Sequence, residues 1–144
     1  MCLTKRRNTR TFRHHRRRMG AATVEFAVAG PILFFLILSI FEFGWAVLIR
    51  HSADNAAYEA ARKAIVPGGT SADAINEANR IMGIVGARSF NVRVNPTNIT
   101  EDTREVEVTV SGAFANNGIV ASRIFPGVNF ESATKMLTER PRRD

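Results

Sequence analysis

Residues 19–49 read MGAATVEFAVAGPILFFLILSIFEFGWAVLI, and within them only Glu25 and Glu42 carry a charge. The inner run Phe26–Phe41 has no charge at all. Coiled at 1.5 Å per residue, that run spans about 24 Å, and extension to Ile49 gives about 36 Å, against ~30 Å of hydrocarbon in a bilayer. A core helix of a soluble protein is usually shorter and keeps one polar stripe. Here every face is apolar, so the sequence predicts a helix that crosses a membrane. Trp45 falls near its far end, where an indole favours the water interface, and Arg50 closes the run.

Charge on either side sets the direction. The 144 residues suit one modest domain plus an anchor. Their formal net charge is +7, and the sequence pI is near 11.0. That total suggests a nucleic-acid binder until its position is considered. Lys5, Arg6, Arg7, Arg10, Arg13 and Arg16–Arg18 precede the span without a single acid, giving +8. The remaining residues carry 12 basic and 13 acidic groups, a net of −1. The basicity belongs to a leader and reads as a topology signal beside anionic lipid, not as a nucleic-acid surface. The expected layout is a cytoplasmic leader at 1–20, a span at 21–49, a helical stalk at 50–66 and an outer domain at 67–144. A cleaved secretory signal fits less well: its apolar region would be shorter, and Arg50-His51 is a poor cleavage context. Cys2 is the sole cysteine, so no intramolecular disulfide can brace the outer domain.

The junction of leader and span is the informative part: Arg16-Arg17-Arg18-Met19-Gly20-Ala21-Ala22-Thr23-Val24-Glu25-Phe26. A carboxylate at the mouth of an apolar segment is costly to bury. Taken alone, Glu25 has two readings, one that snorkels to water or pairs with Arg18 and one that serves a function. The combination of Gly20, four small or apolar residues and Glu25-Phe26 resembles the processing site of type IV pilin-like precursors. It is most similar to the TadE-like family, pseudopilins of tight-adherence (Flp, type IVb) pilus systems. The resemblance continues through Pro31, Glu42-Phe43-Gly44 and Asn55-Ala56-Ala57-Tyr58-Glu59-Ala60-Ala61-Arg62, and covers residues 16–65 best.

The resemblance implies a prepilin peptidase that cuts after Gly20, leaving Ala21 as the new N-terminus. Glycine suits a backbone that must enter a protease cleft without a side chain in the way. Glu25 would then meet the free amine of a neighbouring subunit, offsetting the penalty of a carboxylate in lipid and setting axial register. The implied location is a bacterial inner membrane, and the implied partners are the lipid bilayer, the peptidase and other pilins or pseudopilins. Pro31 removes one hydrogen bond inside the span and is expected to bend or loosen the helix. Glu42, one turn before Trp45, either reaches lipid headgroups or contacts another pseudopilin.

Beyond the membrane, Ala53, Ala57, Ala60, Ala61 and Ala64 share one helical face. An all-small stripe admits a close neighbour, either the domain's own sheet or another subunit. Arg50–Asp54 and Glu59–Lys63 are spaced as i,i+4 ion pairs, and Pro67-Gly68-Gly69 ends the helix. Ser71 reads as the N-cap of a second helix running to Val85, with Ile75, Ala78, Met82 and Val85 inward and Gly86 as terminator. Phe90, Val92 and Val94 alternate with polar residues, as do Val106, Val108 and Val110, predicting two strands joined by a polar loop at 96–103. A short helix is expected at Ile119–Phe125 and a last strand at about Phe130–Thr138. The fold class is therefore α+β: a long N-terminal transmembrane helix continuing into a pilin-like domain with a small antiparallel sheet.

Catalytic chemistry has little to work with. His14 and His15 lie in the leader, and His51 lies at the membrane surface. There is no nucleophile elbow, phosphate-binding glycine loop or metal-ligand spacing, so no cofactor or metal is expected. Glu101, Asp102, Glu105 and Glu107 lack the spacing of a calcium loop. Two functions compete: a minor pseudopilin whose chemistry is assembly, and an uncleaved signal-anchored protein whose outer domain binds a surface partner.

Overall fold

The computed structural model describes residues 15–118 and 127–138, with side chains from Gly20 onward. Residues 1–14 of the leader and the expected helix at Ile119–Phe125 lie outside this set. Helix α1 covers His15–Ile65, α2 covers Ser71–Ile84, and three strands follow: β1 at Asn91–Asn95, β2 at Glu105–Ala113 and β3 at Asn129–Leu137. A 3-10 turn at Phe114–Asn116 follows β2. The chain divides into two units, residues 1–39 and 40–144. In the first unit the described residues are helical, and nearly all of those from Gly20 on are exposed. Helix α1 begins inside the basic leader, earlier than expected, and passes through Pro31.

The second unit forms around the last turns of α1. Ile49, Ser52, Ala53, Ala56, Ala57, Ala60, Ala61, Ala64 and Ile65 are buried, and they recur every three or four residues. That spacing puts them on one stripe, and its six alanines, with Ala74 and Ala78 of α2, let backbones approach closely. They join Met82, Val106, Val108, Val110 and Phe130 in one core. The small-residue stripe is thus the seam of the domain itself.

The cap of helix α2 lies one residue earlier than expected. Thr70, not Ser71, is the N-cap: its hydroxyl accepts from the Asp73 backbone N–H, and the Asp73 carboxylate accepts from the Thr70 N–H. The reciprocal bonds require an acceptor three residues on, which Thr70 has in Asp73 and Ser71 lacks in Ala74. Ser71 instead donates to the Thr97 carbonyl. At the other end, Gly86 takes φ +70°, and the Gly86 and Ala87 N–H groups donate to the Gly83 and Met82 carbonyls, a Schellman motif. The helix ends at Ile84, with Val85 as C-cap. The buried stripe is Ala74, Ala78, Ile81 and Met82, while Ile75 and Val85 are half-buried.

The sheet has order β1-β2-β3, antiparallel throughout. Alternation drives it: Val106, Val108 and Val110 face the core while Glu105, Glu107 and Thr109 face away. Strand β3 starts at Asn129, one residue before the expected position, and its Phe130 is fully buried opposite Gly112. A Cβ at Gly112 would lie 2.7 Å from the Phe130 ring and 2.6 Å from the Ser89 carbonyl oxygen. Glycine is required here by close approach, a constraint that alternation alone does not reveal.

Candidate functional site

Gly20, Ala21, Glu25 and Phe26 lie within α1 and are all exposed. A Cβ at Gly20 would meet nothing within 4 Å, so packing within the chain gives no reason for glycine there. Among the described residues Glu25 makes no hydrogen bond or ion pair, and its neighbours Val24, Phe26 and Val28 are apolar and exposed. The Glu25–Arg18 pairing involves a side chain outside the described set. Pro31 is likewise exposed. These residues share one helix.

Glu42 and Trp45 belong to the second unit, one turn apart. Glu42 is half-buried. The Trp45 indole N–H donates to the Asn117 carbonyl at 2.8 Å. Sequence reasoning missed Asn117, which ties four segments together. Its side-chain oxygen accepts from the Arg88 N–H at 2.7 Å and the Ser89 N–H at 3.3 Å. Its amide donates to the Ser89 and Ala113 carbonyls at 3.0 and 2.9 Å. All four side-chain hydrogen-bonding positions of one amide are thereby used, and the backbone carbonyl holds α1. An asparagine in a turn after a strand is common, so nothing in the sequence distinguishes it; only an unusual pairing with Trp45 across 72 residues does.

Charges on the second unit serve the fold. Lys63 pairs with Glu77 of α2 at 2.9 Å instead of with Glu59, and Glu59 pairs with Arg62 at 3.7 Å. No ion pair joins Arg50 to Asp54 among the described residues. The switch of Lys63 has a physical reason: α2 brings a carboxylate that also accepts from Arg80, so one acid satisfies two cations. The Arg80 and Lys63 donors hold the Glu77 carboxyl down at about 2. Hydrogen bonds from the Thr70 hydroxyl and backbone lower Asp73 below its ordinary value. Glu105 beside Lys135, at 2.6 Å, raises the lysine. No group of three or more His, Cys, Asp or Glu side chains suited to a metal occurs among the described residues.

One helix, Gly20–Ile65, is long and apolar enough to cross a membrane. No curated protein and no solved structure matches the chain significantly. A family model does: residues 20–62, the stretch running from the candidate scissile glycine into the alanine seam, match the TadE-like protein family that the sequence resembles.

Proposed function

We propose that this chain is a minor pseudopilin that takes part in assembly of a tight-adherence (Flp, type IVb) pilus or a related secretion apparatus. A TadE-like match and a helix able to cross a membrane fit a membrane protein associated with such a pilus. The finer reading rests on Glu25. An exposed carboxylate flanked by apolar side chains at the start of the span, with no partner among the described residues, calls for a cation from outside the chain once lipid surrounds it. A freed amine at Ala21 of a neighbouring subunit would supply one. Gly20 supports the same reading, because a glycine inside a helix costs about 0.5–1 kcal/mol relative to alanine and no contact here requires it. A prepilin peptidase cutting after Gly20 would give that cost a use. In this reading the basic leader stays in the cytoplasm, the outer domain lies beyond the inner membrane, and the chain turns over no substrate.

Co-expression with a matching prepilin peptidase, followed by mass spectrometry of the N-terminus, tests the processing. Cleavage at Gly20–Ala21 that is abolished by Gly20→Leu is the expected result. An intact N-terminus under those conditions favours the alternative, an uncleaved anchor whose outer domain binds a surface partner. Glu25→Gln is expected to leave insertion intact and lower assembly with other pilins; unchanged assembly would return Glu25 to a snorkelling side chain.

A further inference from the structure

The outer domain has two distinct ends along α1. One is marked by the α1–α2 turn, where Ser71 meets Thr97 and the polar loop at 96–104 lies. The other is marked by Trp45, where its indole meets Asn117 and the turns at 85–90 and 114–118 lie. Helix α2 runs from the first end to the second and finishes on Ile84, which is 73% exposed.

The Trp45 end has an unusual setting. The first fully buried residue of α1 is Ile49. Phe41, Phe43, Val47 and Leu48, around and below Trp45, are apolar and exposed. Asn117 therefore reaches down α1 by about 6 Å, one helical turn, past the start of the core and beside helix surface that water would leave uncovered. The four side-chain hydrogen bonds of Asn117 hold the turns at this end in place. Ile84 at the end of α2 and Val128, whose carbonyl accepts from the Phe114 N–H, border these turns and are exposed and apolar, and Arg88 is an exposed cation; Arg50 lies little more than a turn beyond Trp45. Apolar side chains with cations and an indole at one level suit a lipid headgroup layer, where each finds its medium. Depth decides more than charge here, since Glu42 on α1 and Glu131 on β3 offset the two cations.

We infer that this end of the domain, organised by Asn117, rests on the headgroups of the bilayer beside the exit of the span, so that Trp45 is shared between membrane and domain. The inference depends on the span reading above, and the test separates the two. In a Cys2→Ser background, single cysteines replace Ile84, Asp102 and Leu36 in the full chain. Each is labelled with a fluorophore and reconstituted in phosphatidylcholine/phosphatidylglycerol vesicles that carry nitroxides either on the headgroup or deep on the acyl chain. Deep quenching at position 36, with headgroup quenching several-fold stronger at 84 than at 102, is the expected result. Deep quenching at 36 with equal headgroup quenching at 84 and 102 overturns this inference alone. So does density-dependent self-quenching at 84 in place of headgroup quenching, which would put a second copy on that surface. Absence of deep quenching at 36 overturns the span reading and this inference with it.

Discussion

Helix α1 contains two stretches with the same backbone and opposite side-chain logic. From Gly20 to Leu48 it is apolar on all faces and exposed on nearly all of them. From Ile49 to Ile65 it keeps a buried stripe of small residues, with His51, Asp54, Arg62 and Lys63 turned to water. The first stretch has no stripe, as suits a helix able to cross a membrane and meet lipid on every side. The second has one because a sheet covers a single side. Hydrophobicity alone marks the first stretch, and periodicity marks the second.

Charge placed in each stretch should break a different property. Ala57→Asp puts a carboxylate in the fully buried seam, and the expected result is loss of the outer domain's cooperative unfolding with membrane insertion retained. Leu36→Asp should do the reverse. It costs about 2.5–3.5 kcal/mol of insertion at the bilayer centre and leaves the outer domain folded. Membrane fractionation together with protease resistance of the outer domain distinguishes the two. Volume should sort the stretches next. Ala60→Leu overpacks the seam and is expected to destabilise the outer domain by about 1–3 kcal/mol. A Cβ at Gly44 would meet nothing within 4 Å, so Gly44→Ala should cost the outer domain none of its stability. A smaller loss, about 1 kcal/mol, is expected for Thr70→Ala, which removes the α2 cap and is read from the same melts.

These contrasts also show what the sequence could disclose. The long apolar helix, the seam, α2 and all three strands follow from hydrophobic length or from periods of 3.6 and 2; α2, β1 and β3 were legible to within a residue or two, whereas α1 starts earlier and β2 ends about three residues later than expected. The cap of α2 was legible as well, had the residue three positions on been weighed: Asp73 selects Thr70. Other features depend on what tertiary packing brings close. Lys63 exchanges a neighbour on its own helix for Glu77, Gly112 makes room for the Phe130 ring, and Asn117 finds Trp45. None of these has a local signature. At the candidate site, Gly20, Glu25 and Phe26 were legible as a motif because they lie close together in sequence on one helix.

The smallest expected effect concerns acid. Glu77 has its carboxyl held at about 2, below the ordinary 4.5, so the folded outer domain binds fewer protons than the unfolded chain across that interval. Its contribution is present above the unfolded value and fades as pH falls through 4.5 toward about 2. Melting midpoints of the full chain and of Glu77→Gln should differ by a constant amount from pH 7 to 5 and converge in acid. A gap that persists unchanged to pH 2 would remove Glu77 from the link between α1 and α2.

The division of α1 is tested most directly by thiol accessibility. With Cys2→Ser as background, Leu36→Cys and Asp102→Cys are expressed in spheroplasts and treated with a membrane-impermeant maleimide. Position 102 should label in intact spheroplasts, and position 36 should label only after detergent is added. A chain recovered in the soluble fraction, or position 102 labelled only after lysis, would contradict the membrane placement on which the proposed role depends.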